Sequence, residues 1–205
     1  MHAATTDDQA HAGDTLTVAR RRTPGLLLGP YYPLATAGST SALWRGNGLP
    51  AGARRLRLDG RVLDLQGRPL VDVDVELWQA DPAGRYRHPS APETDQVLPG
   101  FAGHGRTRTD AAGGFRFDSL VPGAYADAFG ERAPHLHLQI TGRADRLVTQ
   151  LFLPGHPGNQ ADHWYRALRS PGLLTPDLVP EADGANGGDG AHSLHLLWTA
   201  VLTQG

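Results

Sequence analysis

Neither cysteine nor lysine occurs anywhere in the 205 residues. Without cysteine the chain can form no disulfide, no thiolate metal site and no thiol nucleophile, so any metal must be held by His, Tyr or carboxylates. Without lysine all 19 basic side chains are Arg, and with 21 acidic residues the net charge is only -2. That balance carries no electrostatic footprint for nucleic acid or an anionic membrane surface. Long apolar runs are missing too: no stretch approaches the roughly 18 residues of a membrane span. The triplet Arg20-Arg21-Arg22 could open an export signal, but the Leu26-Leu27-Leu28 run that follows is too short for its apolar core, so the expected location is the cytoplasm.

Gly and Pro are abundant instead, 26 and 16 residues, and they cut the chain into short segments suited to strands and turns. The length suits one buried core. Residues 1–23 are polar and aperiodic and are expected to form a mobile arm, leaving 24–205 as a single domain. Apolar and polar residues alternate along 55–63, with Leu56 and Leu58 on one face, and along 71–78, where Val71, Val73, Val75 and Leu77 oppose Asp72, Asp74, Glu76 and Trp78. Thr107–Thr109, the turn Asp110–Gly114 and Phe115–Phe117 suggest a hairpin. Further strands are expected at 135–140, 147–153 and 193–202, the last preceded by a Gly- and Asp-rich loop over 180–190. One short helix is expected from Asn159, as its cap, to about Leu168. The sum is an all-β protein, a β-sandwich with long loops and little helix.

Chemistry concentrates at His135-Leu136-His137. On a strand, residues two apart share a face, so both imidazoles can reach one point while Leu136 packs behind them. A His-x-His pair alone is as readily a core His beside a surface one. Three-His zinc sites and two-His-one-carboxylate iron(II) sites each need a third ligand of their own kind, and no carboxylate follows closely after His137. Two of the five tyrosines stand in suitable loops, Tyr86 in Gly84-Arg85-Tyr86-Arg87-His88 and Tyr125 after Pro122-Gly123. Holding a phenol of pKa about 10 as phenolate at pH 7 costs roughly 4 kcal/mol, which a strong Lewis acid offsets. Hard phenolate oxygens favour iron(III) over iron(II).

These segments resemble the intradiol ring-cleavage dioxygenases, the family of the protocatechuate 3,4-, catechol 1,2- and hydroxyquinol dioxygenases. The likeness runs from about Thr23 to Gly155 through Gly29-Pro30-Tyr31-Tyr32, Val75-Glu76-Leu77-Trp78-Gln79-Ala80-Asp81, the Tyr86 loop, Gly103-His104-Gly105-Arg106, Pro122-Gly123-Ala124-Tyr125, Arg132-Ala133-Pro134-His135-Leu136-His137 and Thr149-Gln150-Leu151-Phe152. The resemblance implies an Fe(3+) cofactor held by Tyr86, Tyr125, His135 and His137. Tyr125 is then the ligand released when substrate binds, and Arg132 and Gln150 are polar residues steadying charge on the ring. It also implies O2-dependent cleavage of a catechol-type ring between its two hydroxyl-bearing carbons, giving a cis,cis-muconate-type diacid. Tyr31, Tyr32 and Arg85 are the candidate substrate-pocket residues. Partners expected are a catecholic substrate and O2, without nucleic acid or membrane, and the expected assembly is a homo-oligomer of the size of protocatechuate-type subunits. Tyr125 is followed by Ala126-Asp127 where the family often has Pro and a bulky residue, a departure that falls on the pocket wall. A contrasting resemblance, of 60–125 to transthyretin-like or carboxypeptidase-regulatory β-sandwich modules, implies a non-catalytic binding unit and leaves the Tyr, His, Arg and Gln set unexplained.

Overall fold

The computed structural model describes residues 20–35, 38, 40–180 and 193–203. Strands β1 (Arg55–Leu63), β2 (Asp74–Trp78), β3 (His104–Arg108), β4 (Gly114–Leu120), β5 (Tyr125–Asp127), β6 (Gly130–Arg132), β7 (His135–Thr141), β8 (Arg146–Phe152), β9 (Asp177–Leu178) and β10 (Leu194–Val201) follow in chain order. Two four-stranded sheets, ordered β4-β1-β10-β9 and β3-β2-β7-β8, face one another, and β5 and β6 make a small ribbon at their side. This is the expected all-β sandwich.

Its core follows from the period-two pattern. Leu56, Leu58 and Val62 of β1, Phe115 and Phe117 of β4 and Leu196 of β10 pack against Val75, Leu77, Leu136, Leu138, Ile140 and Leu151 of the other sheet. Burying an aliphatic or aromatic side chain of this kind stabilises the fold by roughly 1.5–3 kcal/mol, and these residues belong to one continuous cluster.

Three expectations are corrected. β3 and β4 do not form a hairpin, because β3 pairs with β2 and β4 with β1. The Asp110 turn, closed by Gly113 N donating to Asp110 O at 2.9 Å, carries the chain from one sheet to the other. β2 begins only at Asp74 and is not half-buried: Glu76 and Trp78, on the face away from the core, are 7% and 1% exposed because loops cover them. The expected helix from Asn159 is a 3-10 turn, Pro157–Gln160, followed by one α-helical turn, α1 (His163–Arg166), capped by Asp162.

Of the expected arm only Arg20 to Thr23 lies among the described residues. There Thr23 N donates to Val201 O and Thr23 Oγ1 accepts from Val201 N. The Gly- and Asp-rich segment expected as a loop lies, from 181 on, outside the described residues.

Candidate metal and ring-binding site

The site grows from the face of β7 turned away from the core. Leu136 and Leu138 enter the sandwich, so His135, His137 and Gln139 share the opposite face, and loops bury them to 2%, 3% and 9% exposure. Register then sets the neighbours of His137: Gln150 lies opposite on β8 and Trp78 on β2. The Trp78 ring stacks on the His137 imidazole at 4.9 Å and 12°. Gly29 sits on the other side with φ +80°, and a Cβ there would come within 3.1 Å of His137 Cε1. Only glycine combines that backbone with that approach.

The two imidazoles converge, with Nε2 to Nε2 at 3.1 Å. His135 Nδ1 lies 2.7 Å from Ala133 O, and a carbonyl can only accept, so Nδ1 carries the proton and the Nε2 lone pair is directed inward. Both rings are held neutral. Burial, then Arg132, lowers the His135 pKa to about 4, and burial, then His135, puts His137 well below its ordinary value.

The phenols arrive on two loops pinned together. Asp81 Oδ1 accepts the N–H groups of Ala83 and Arg85 at 2.8 and 3.0 Å, and Oδ2 accepts that of Leu98 at 2.9 Å. Gly84 (φ +84°) turns the loop so close to the second one that a Cβ would stand 2.1 Å from Ala124 O. Tyr86 and Tyr125 therefore meet edge to face at 5.3 Å, with Tyr86 6.1 Å from His137 and Tyr125 5.6 Å from His135. Tyr86 is 3% exposed, and the neighbouring Tyr125 hydroxyl approaches its Oη without completing a hydrogen bond of good geometry. Burial, then the neighbouring Tyr125, pushes the Tyr86 phenol well above its ordinary value; burial also raises Tyr125, with the Arg132 charge opposing.

Arg132 organises the polar side of the cluster. It is 4% exposed and donates through Nε to Asp162 Oδ2 (2.9 Å), through Nη1 to Tyr125 Oη (3.3 Å) and through Nη2 to Gln150 Oε1 (2.7 Å). Beside it lies a cavity of about 360 Å³, whose wall includes His137, Tyr125, Arg132, Gln150, Phe129 and Trp164. A larger open groove of about 1020 Å³ elsewhere, bordered by Arg68, Asp72 and Arg108, contains none of the cluster residues.

Of the three pocket candidates from sequence, Tyr31 lies in both the cavity and the cluster, with its ring 4.7 Å from Tyr86. Tyr32 is turned away, donating to Glu76 Oε2 at 2.8 Å and packing edge-on against Trp78. Arg85 borders a neighbouring cavity of about 210 Å³ behind Tyr86 and donates to Glu93 Oε2 at 2.9 Å. Sequence reasoning missed Asp162 as the partner of Arg132. Its position ahead of His163-Trp164-Tyr165-Arg166 signals a helix cap, but nothing local signals a contact 30 residues back.

Among the described residues no group of three or more His, Asp or Glu side chains could hold a metal. A cation bound at the His pair would take its remaining protein donors from the phenols. The poorly satisfied Tyr86 Oη and the inward Nε2 atoms fit a hard trivalent ion, a guest that makes phenolates favourable.

A dioxygenase family model matches residues 27–203. The chain is 42% identical over 118 residues to the protocatechuate 3,4-dioxygenase beta chain of Burkholderia cepacia, covering 54% of this chain and 49% of that relative. It is 26% identical over 217 residues to the catechol 1,2-dioxygenase of Acinetobacter baylyi, covering 97% and 68%. The chain thus matches about half the length of the first relative. Among solved structures, catechol 1,2-dioxygenase from Acinetobacter sp. ADP1 superposes with a TM-score of 0.70 at 23% identity, covering 89% of this chain and 63% of that one. The dioxygenase domain of a carbohydrate-binding fusion protein from Streptomyces sp. SirexAA-E gives 0.65 at 24% identity, covering 90% and 100%. At those identities the structures speak for the shared fold.

Proposed function

The chain belongs to the intradiol dioxygenase family, and from that premise we propose that it uses Fe(3+) and O2 to cleave a catechol-type ring between its two hydroxyl-bearing carbons. The observation that carries this reading is the convergence of a buried phenol, a half-buried phenol and two inward imidazole nitrogens beside a cavity large enough for a substituted ring. Tyr86, Tyr125, His135 and His137 are the proposed iron ligands. Bound there, iron(III) would supply Lewis-acid chemistry that stabilises phenolates and acidifies the hydroxyls of a catechol.

The protein's own contribution is positional and electrostatic. Tyr125 borders the cavity and is the less buried phenol, so its Oη is the one placed to accept a proton from a substrate hydroxyl, with Arg132 Nη1 stabilising that oxygen. Tyr86, enclosed by Tyr31, Tyr125 and His137, stays in place. Arg132 and Gln150, bonded to each other on the cavity wall, offer polar groups to charge developing on the ring. Leu27, Pro30 and Trp164 add apolar surface to the wall around it. The non-catalytic module reading leaves this cluster without a purpose.

The same proposal has copies of the chain as its only macromolecular partner. Among the described residues no helix is long and apolar enough to cross a membrane.

Protein from iron-supplemented expression should be burgundy through phenolate-to-iron charge transfer, and Tyr86→Phe or His137→Ala should bleach it. Oxygen uptake with catechol, protocatechuate and hydroxyquinol should show turnover of at least one ring, with a diacid product. A colourless protein that elemental analysis finds free of iron would refute the proposal.

A further inference from the structure

Asp127 and Arg132 are the only charged side chains on the wall of the 360 Å³ cavity among the described residues. Three of the five N–H groups of the cation are engaged, by Asp162 at Nε, Gln150 at Nη2 and Tyr125 at Nη1, and Asp127 Oδ2 lies 3.7 Å from Nη1. Counting the fully buried Asp162, two carboxylates surround one guanidinium, an excess of one negative charge. The rest of the wall is uncharged: Leu27, Pro30, Phe129 and Trp164 are apolar, and Gln150 and the tyrosines add neutral polar groups. Leu27 and Phe129 are 59% and 75% exposed, so the apolar wall extends toward solvent. Arg85, which could have neutralised an acid, is bonded to Glu93 beside the other cavity.

A ring carboxylate entering here would lose water, meet Asp127 and find the one cation already shared between two carboxylates, whereas an uncharged substituent would meet apolar faces and neutral polar groups without that penalty. Resting on the ring-cleavage reading, we propose that the site takes catechols bearing an uncharged substituent and rejects ring carboxylates, with Asp127 as the specificity-determining residue. Asp127 also has a structural task, since its Oδ1 accepts the Phe129 N–H at 2.7 Å and closes the turn between β5 and β6. Asp127→Asn keeps an oxygen for that bond and removes the charge, which separates the two roles.

The test compares 3,4-dihydroxybenzamide with 3,4-dihydroxybenzoate, nearly equal in shape and different in charge. A like charge at close range in a partly buried pocket is expected to lower kcat/KM for the acid about tenfold or more relative to the amide. In D127N that gap should narrow severalfold, through a gain for the acid. Should D127N fail to fold, Asp127→Ser also keeps a side-chain oxygen for the turn and removes the charge, and it should narrow the gap in the same way. Calorimetric binding of 4-hydroxybenzamide and 4-hydroxybenzoate, which cannot chelate as catechols, provides a readout independent of turnover and should show the same order. Equal or better handling of the acids by wild type, or an unchanged gap in a folded D127N, overturns the assignment while leaving ring cleavage intact. Amide-selective binding with no turnover of any catechol retires ring cleavage and keeps the charge filter.

Discussion

Asp162 is fully buried, and each of its oxygens accepts two N–H bonds: Oδ2 from Arg132 Nε and Ala133 N, Oδ1 from Trp164 N and Tyr165 N. One carboxylate thus fixes the guanidinium facing Tyr125, the backbone just before the His pair and the first turn of α1. An amide has one acceptor oxygen and would turn its NH2 group toward donors. Asp162→Asn is therefore expected to cost about 3 kcal/mol of stability, read as a lower urea midpoint at unchanged slope. With iron content retained, turnover should fall about tenfold, the usual scale for losing a group that orients an active-site residue. The His pair and both tyrosines were legible in the sequence because their residue types carry rare chemistry and His-x-His has the period of a strand. Asp162 was not, because an aspartate ahead of a helix looks the same whether or not its second oxygen serves a distant arginine. Tyr32 shows the opposite failure: a tyrosine beside Tyr31 invited the same role, yet the flanking turn directs its hydroxyl to Glu76.

Strands whose pattern reports burial were legible nearly to the residue, as with β1 over Arg55–Leu63 and β7 from His135. Period two says which face a side chain takes and nothing about which strand lies alongside, so the pattern around the Asp110 turn suits a hairpin equally well although the turn joins the two sheets. The helix was misplaced for a related reason. Asn159 donates through Nδ2 to Leu153 O, a bond that stabilises the 3-10 turn and leaves the capping position to Asp162. At this scale the sharpest prediction concerns the loop that presents Tyr86. Gly84→Ala requires a left-handed alanine with its Cβ against the Ala124 carbonyl, a backbone atom that cannot rotate away. It is expected to cost about 2 kcal/mol, more than the strain of the torsion alone, and to push the Tyr86 and Tyr125 loops apart. Denaturant titration measures the first effect. A weakened and shifted charge-transfer band at matched iron loading measures the second, and an unchanged band would show that the loops tolerate separation.

Across the whole molecule one carboxylate ties distant parts of the chain together. Asp145, in the connection between β7 and β8, accepts from Arg22 Nη2 at 2.9 Å and Nε at 3.2 Å, and from Thr203 N and Oγ1 at 2.8 and 2.7 Å. It thereby joins the segment entering β1 to the residues leaving β10. The bond from Arg22, with those from Thr203, holds its carboxyl well below the usual carboxylate range despite the opposing effect of burial. A group whose folded pKa is depressed contributes stability that is complete above the unfolded pKa, about 3.9, and is lost as pH falls through the folded value. Asp145→Asn removes that contribution at every pH. Arg22 is 36% exposed, so solvent screens part of the attraction, and the expected loss at pH 7 is about 1–2 kcal/mol. Urea midpoints of wild type and D145N should differ by a constant amount above about pH 5 and converge on acidification below pH 4. A difference that persists unchanged into strong acid would mean that the charge is not what holds the two segments together, and that Thr203 packing alone suffices.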